Sequence, residues 1–258
     1  MKVINSIKLQ RYVIHLSYSG SNYSGWQIQK NSKTIQGEIM ICLQKILNNN
    51  INLIIGAGRT DSGVHAKNYF AHFDYCEEFL SDSFLYSLNN ILPNDIVIHS
   101  LNKIDECFHA RFSPSSRQYQ YIISSKKNPF LTNQVFFYFK KLDIDLMNKG
   151  VKNLIGKHCF KAFSKKNETN YICDVKNAVW KKNNEKLIFT IEANRFLHNM
   201  VRCIVGTSIN LGNLKINLNQ FIEIFKSQNR QNAGFSAPSS GLFLTKINYP
   251  KKFNIENI

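Results

Sequence analysis

Along QRYVIHLSY, residues 10–18, aromatic and branched side chains crowd a short stretch, the composition that a half-buried strand selects. TIQGEIMICLQKIL (34–47) instead brings Ile35, Ile39, Cys42, Leu43, Ile46 and Leu47 to one side at helical spacing, so a helix is predicted there. INLIIGAG (51–58) and AKNYFAHFDY (66–75) predict two further strands. SDSFLYSLNNIL (81–92) predicts a helix opened by a serine or aspartate cap and stopped by Pro93. DIVIHSLNKI (95–104) completes the half as a fourth strand. The order β-α-β-β-α-β is the split βαβ arrangement of ferredoxin-like folds.

The second half repeats the theme with longer connections. RQYQYIIS (117–124) predicts a strand, followed by the aromatic run VFFYF. DIDLMNKGVKNLIG reads as a helix, and VKNAVWKKN with KLIFTIEANR as a hairpin around Asn183 and Asn184. FLHNMVRCIVGTSINLG and NLNQFIEIFKSQ predict two helices, LFLTKINY a closing strand, and KKFNIENI a loose tail. The expected fold class is α+β, with ferredoxin-like halves at 1–108 and 109–258 and a boundary between 105 and 115.

Composition narrows the function classes. A chain of 258 residues with 43% hydrophobic content can bury a substantial core, in one large domain or two modest ones. No apolar run is long enough to cross a bilayer, and the N-terminus lacks a continuous apolar segment with a small-residue cleavage site. A cytoplasmic protein without a membrane partner is therefore expected. Cysteines 42, 76, 107, 159, 173 and 203 form no CxxC knuckle, so reduced and mostly buried thiols are expected. The net charge of +16 is uneven: residues 1–105 carry 9 basic and 8 acidic side chains, whereas the remainder carries 24 and 9. A basic half suits a polyanion, most simply nucleic acid. A coding bias toward A and T would also enrich Lys, Asn and Ile, so charge alone leaves both explanations standing.

The chemistry concentrates in GAGRTDSGVHA (56–66). A dinucleotide fingerprint would need its third glycine earlier and a helix after it, and a Walker loop would need Lys-Ser/Thr after Gly63. Thr-Asp-Ser-Gly is good turn chemistry, so a local role for Asp61 is one reading. The flanking glycines, Arg59 two residues away and His65 in the same connection favour another, a reactive carboxylate presented on a tight loop. There is no GxSxG elbow, HExxH or paired-histidine spacing, so no metal site is expected, and adjacent His158 and Cys159 read as core packing. FHARFSPSSRQYQYII (108–123) interleaves Arg111 and Arg117 with Tyr119 and Tyr121, a pattern suited to phosphate contact and base stacking. Core packing explains either tyrosine alone equally well. NRFLHNMVRCIVG (194–206) predicts an amphipathic helix with Leu197, Met200, Val201 and Ile204 on its apolar side. Arg195, His198, Asn199 and Arg202 then share the other side, which a solvated face would explain too.

GRTDSGVHA resembles the signature of the TruA family of tRNA pseudouridine synthases. YSGSNYSGWQIQ, FHARFS with SRQYQY, FLHNMVR and APSSGLFL (237–244) also resemble family segments in family order, spanning residues 18–244. The resemblance implies two ferredoxin-like halves whose sheets join across a central basic cleft, and a homodimer that grips tRNA. It implies isomerisation of uridine to pseudouridine at positions 38 to 40 of the anticodon stem-loop, with no cofactor and no metal. Carried over by position, Asp61 matches the catalytic aspartate and Arg59 the arginine near the displaced base. Tyr119 matches the active-site tyrosine, Arg202 the basic partner of the aspartate, and Leu242 an apolar residue near the uracil. Arg111, Arg117, His65, Arg195 and His198 join Tyr119 and Leu242 as substrate-binding expectations. Ser62 stands where alanine is common, Gln118 and Gln120 where arginine is frequent, and Cys173 where the family often has arginine. Lys165, Lys166 and Lys176 offer compensating charge. A non-catalytic RNA-binding protein and a hydrolase that frees the base are the rival functions.

Overall fold

A computed structural model of the chain describes residues 9–48, 51–76 and 81–255; it leaves out the side chains of Ser81 and Asp82, where the cap of the second helix was expected. Two compact units emerge: Met1–Ser62, Ala66–Ser115 and Ile247–Ile258 in one, Gly63–His65 and Ser116–Lys246 in the other.

The first unit runs β1 (Gln10–Tyr18), α1 (Ile35–Ile46), β2 (Ile55–Gly56), β3 (His65–Tyr75, without its first residue), α2 (Ser81–Ile91) and β4 (Ile96–Lys103). β1 lies between β3 and β4 and is antiparallel to both, and β2 pairs with the other edge of β3. The strand order 4-1-3-2 is the ferredoxin-like one, set here by β1, whose alternating partners leave Val13, Ile14 and Leu16 buried. α1 begins at Thr34, whose side chain accepts from the Gly37 N–H, and it buries Ile35, Ile39 and Leu43. The strand expected over 51–58 is reduced to Ile55–Gly56, with Ile51 and Ile54 buried outside the sheet. At Gly58 the backbone leaves the ladder because its N–H and C=O both turn to the Tyr69 hydroxyl. The tail is not loose over 251–255: Phe253 meets Phe108 edge-on at 5.3 Å and Ile255 is buried. Residues 256–258 of that expectation lie outside the described residues.

The second unit contains β5 (Ser116–Ser124), β6 (Phe136–Phe137), α3 (Ile144–Lys152), β7 (Gly156–Cys159), β8 (Ile172–Asn183), β9 (Lys186–Ala193), α4 (Met200–Gly212), α5 (Leu218–Lys226) and β10 (Leu242–Asn248) as far as Lys246. Its strands run β10-β5-β9-β8-β7, so β5, β8, β9 and β10 repeat the 4-1-3-2 order with β7 added outside. Trp180, Phe189, Ile191, Ile204, Ile209 and Phe221 belong to one buried cluster formed by the sheet and helices. Two elements depart from the sequence reading. The helix expected through Gly156 stops at Lys152; Gly156, at φ 105°, instead starts β7, where His158 and Cys159 are half-buried rather than core. The helix expected from residue 194 begins at Met200, because Asn199 adopts φ 66°, a left-handed conformation that breaks the helical path. Arg195 and His198 therefore precede α4 and do not line its polar face. α4 is also not amphipathic: of its thirteen residues only Arg202 and Asn210 escape burial. All six cysteines are free; Cys42, Cys173 and Cys203 are buried, but Cys76 and Cys107 are exposed, so burial is less general than expected.

Candidate functional site

The Asp61 loop stands on an aromatic frame. The Trp26 and Tyr69 rings lie 4.3 Å apart, and Tyr18 meets Tyr69 edge-on at 5.6 Å. Gly56 is what lets them close: a Cβ there would fall 2.5 Å from Trp26 Cζ2 and nearer still to the Tyr69 hydroxyl. Thr60 is held twice, its hydroxyl 2.9 Å from that of Tyr18 and its carbonyl accepting from the Trp26 N–H at 3.2 Å. On the other side of Asp61, the Ser62 hydroxyl donates to the Tyr23 carbonyl at 3.2 Å. Gly25, at φ 94°, passes under this turn, and a Cβ there would lie 3.2 Å from the carbonyl carbon of Asp61. Both neighbours of the aspartate are thus pinned while its own side chain is half-buried and that of Arg59 is exposed. The arrangement presents a carboxylate from a backbone with little freedom to move, a property that preorganised catalytic groups need.

In the second unit, Tyr119 and Tyr121 point to one face of β5, opposite Ile191 and Phe189 of β9. They have separate fates. Tyr121 is fully buried, and its hydroxyl donates to the Pro238 carbonyl at 2.7 Å; burial pushes its phenol well above the usual range. Tyr119 is half-exposed and meets Phe196 edge-on at 5.1 Å. Arg202 sits on the first turn of α4, where its Nε donates to the Ala237 carbonyl at 2.6 Å. The Ala237 N–H returns a bond of 3.0 Å to the Arg202 carbonyl. A segment from residue 230 to 238 thus straps the helix, and the bare Cα of Gly206 admits the Phe235 carbonyl against it.

A family model described as tRNA pseudouridine synthase matches residues 151–250. The tRNA pseudouridine synthase A of Azobacteroides pseudotrichonymphae is 43% identical over 244 residues, covering 94% of this chain and 98% of that one. The enzyme of the same name from Bacteroides fragilis is 41% identical over 251 residues, covering 95% and 99%. That from Thermoanaerobacter pseudethanolicus is 39% identical over 245 residues, covering 93% and 100%. The chain belongs to the tRNA pseudouridine synthase A family.

The remaining residues that the family resemblance singles out fall into two environments. Arg111 is exposed with its guanidinium 5.5 Å from the Phe112 ring, and Arg117 donates to the Asn194 carbonyl at 3.1 Å. Arg195 and His198 are half-buried, and Lys165, Lys166 and Lys176 are exposed. His65 and Leu242, in contrast, are buried. The His65 ring stacks on Phe243 at 4.6 Å, and burial pushes its imidazole below the usual range against backbone hydrogen bonds at Asn133 and Ser240. Leu242 belongs to the core cluster of its unit. Cys173 is buried too, and burial raises its thiol to about 11, so this position offers no charge to an RNA. Among the described residues, no three His, Cys, Asp or Glu side chains gather as a metal-binding group, and no helix is long and apolar enough to cross a membrane.

Sequence reasoning overlooked the frame of Tyr18, Trp26 and Tyr69, and it overlooked Arg230. The frame has a sequence signal, since YSGSNYSGW carries glycines beside large rings and GAG carries another. The strap has a weaker one, a Gly-, Ser- and Pro-containing stretch, QNAGFSAPSSG, directly after a helix.

Proposed function

We propose that the chain isomerises uridine to pseudouridine in the anticodon stem-loop of tRNA, at positions 38 to 40, working in the cytoplasm as a homodimer. Identity to named tRNA pseudouridine synthases over nearly the full length of both chains carries the reaction class. The family resemblance supplies the choice of stem-loop and the dimer. Asp61 is the proposed catalytic residue, and the pinning of Thr60 and Ser62 on either side of it supports that choice.

The chemistry assigns a task to each residue type. A stem uridine must leave its stack, at a cost of a few kcal/mol, before its glycosidic bond is accessible. Arg59, exposed and two residues before the aspartate, braces the vacated space. As the N1–C1′ bond lengthens, C1′ gains positive character, and the Asp61 carboxylate acts on that charge. The uracil turns while held, C5 bonds to C1′, and the C5 proton leaves as N1 regains one, so base and sugar are conserved. Tyr119 stacks on the extruded base, and Arg202 supplies the positive charge that the family resemblance assigns to turnover. Arg111, Arg117, Arg195 and His198 contribute contacts to the RNA backbone, with lysines 165, 166 and 176 adding long-range attraction. His65 and Leu242, being buried, enter the proposal through packing.

Transcribed tRNA carrying tritium at uridine C5 tests the reading. Release of label to water with intact RNA is expected from the wild-type chain. Asp61→Asn is expected to lower that rate by more than about a thousand-fold. Free uracil would replace isomerisation with hydrolysis, and binding without release would leave only an RNA-binding protein. Transcripts with single anticodon-arm uridines replaced by cytidine identify the positions used.

A further inference from the structure

We propose that Arg230 is a positioning residue for Arg202, acting through the strap that crosses α4. The inference rests on the proposed function only in taking Arg202 to serve turnover. Arg230 is half-buried, and among the described residues no carboxylate pairs with it. Its fork is spent on the strap instead. Nη1 donates to the Gly234 carbonyl at 3.1 Å and to that of Ala233 at 3.4 Å, while Nη2 donates to the Ser236 hydroxyl at 3.1 Å.

Ser236 is the point where strap and helix lock. Its hydroxyl also accepts from Asn199 Nδ2 at 2.5 Å and lies 3.5 Å from Cys203 Sγ, so the residue capping α4 and one on its first turn both meet it. A second tie lies one turn on: the Gly234 N–H donates to the Thr207 hydroxyl at 2.9 Å, which itself donates to the Cys203 carbonyl at 2.8 Å. The next residue of the strap after Ser236 is Ala237, whose carbonyl holds Arg202 Nε. The path from Arg230 to Arg202 therefore passes through one short peptide segment, tied at both ends by hydrogen bonds between named atoms. A planar guanidinium reaches two carbonyls and a hydroxyl together, whereas an ammonium of equal charge cannot span them in that geometry. Arg230 does its work by shape as well as by charge.

The test compares Arg230→Lys, Arg230→Met, Ser236→Ala, Arg202→Leu and the double variant Arg202→Leu/Arg230→Met in the tritium-release assay, with melting temperatures measured alongside. Arg230→Lys and Arg230→Met are expected to lower kcat about ten- to a hundred-fold, the scale of a misplaced group, with KM for tRNA changed by less than about twofold. Ser236→Ala, which leaves the cation in place, is expected to lower kcat in the same direction. The double variant is expected to be no slower than Arg202→Leu alone, because the two substitutions remove one contribution. Should an Arg230 variant be unfolded at the assay temperature, Ser236→Ala and its combination with Arg202→Leu decide the matter in its place. Normal kcat in the folded Arg230 or Ser236 variants overturns the inference, and so does a double variant whose losses multiply in full. Normal turnover by Arg202→Leu would instead remove the role given to Arg202 in the proposed function, a result legible without any Arg230 variant.

Discussion

At Gly56 one added methyl group would be felt by two rings at once. Gly56→Ala would push Trp26 and Tyr69 apart, and overpacking of this kind costs about 1–3 kcal/mol, measurable as a lower urea midpoint. Because the same rings carry the Asp61 loop, turnover is expected to fall by more than tRNA affinity does. Tyr18→Phe makes a finer test: it removes only the hydroxyl facing Thr60, and should cost about 1 kcal/mol of stability with a measurable drop in kcat. Asp61 itself was visible in the sequence, because glycines, a turn and an arginine surround it within a few residues. The frame beneath it left only a faint signal: Tyr18 and Trp26 share the stretch YSGSNYSGW, but Tyr69 lies in a distant strand and nothing local says that the three rings meet. Arg230 was hidden for a similar reason: its acceptors lie close in sequence, but the helix they secure lies far upstream.

Among the elements, α4 and α5 differ in what sets their ends. α5 opens with a reciprocal capping box, the Asn217 side chain accepting from the Gln220 N–H and the Gln220 side chain from that of Asn217. Asn217→Ala is expected to cost about 1 kcal/mol in urea unfolding and to leave turnover unchanged. α4 has no side-chain cap bond; its start is decided by the left-handed Asn199 and by the strap over its first turns. The apolar spacing of Leu197, Met200, Val201 and Ile204 satisfies a helical template across that break, so periodicity alone placed the start too early. Periodicity reports side-chain positions and carries no record of backbone φ. The β8–β9 hairpin was legible for the opposite reason: Asn184, at φ 53°, supplies locally the conformation that the tight turn requires.

For the whole molecule, pH and salt are the revealing variables. His72 is 2% exposed, its Nδ1 accepts from the Ala110 N–H at 3.1 Å, and burial pushes its pKa down to about 4. Between that value and the ordinary 6.5, the unfolded chain binds a proton that the native chain refuses. Stability present above 6.5 is therefore lost as pH falls toward 4, by roughly 2 kcal/mol between about pH 7.5 and about pH 5. Denaturant midpoints at the two pH values measure it. His72→Gln should flatten the dependence, leaving the smaller contributions of His15, His65 and His109, whose imidazoles burial also depresses. Affinity for tRNA is expected to fall log-linearly with salt, and replacing Lys165, Lys166 and Lys176 by Gln should lower the slope by about 0.7–0.9 for each phosphate these lysines neutralise. The sequence by itself determined most of the strands and helices in each half, the uneven charge, the glycine-flanked turn that carries Asp61 and the family, because each is written in neighbouring residues or in whole segments kept in order. Only the tertiary structure decided that Tyr121 is core while Tyr119 is half-exposed, that His65 stacks under Phe243, and that a strap fastens Arg202. Those outcomes depend on which distant segments come together in space, and neither spacing nor composition along the chain encodes a meeting of that kind.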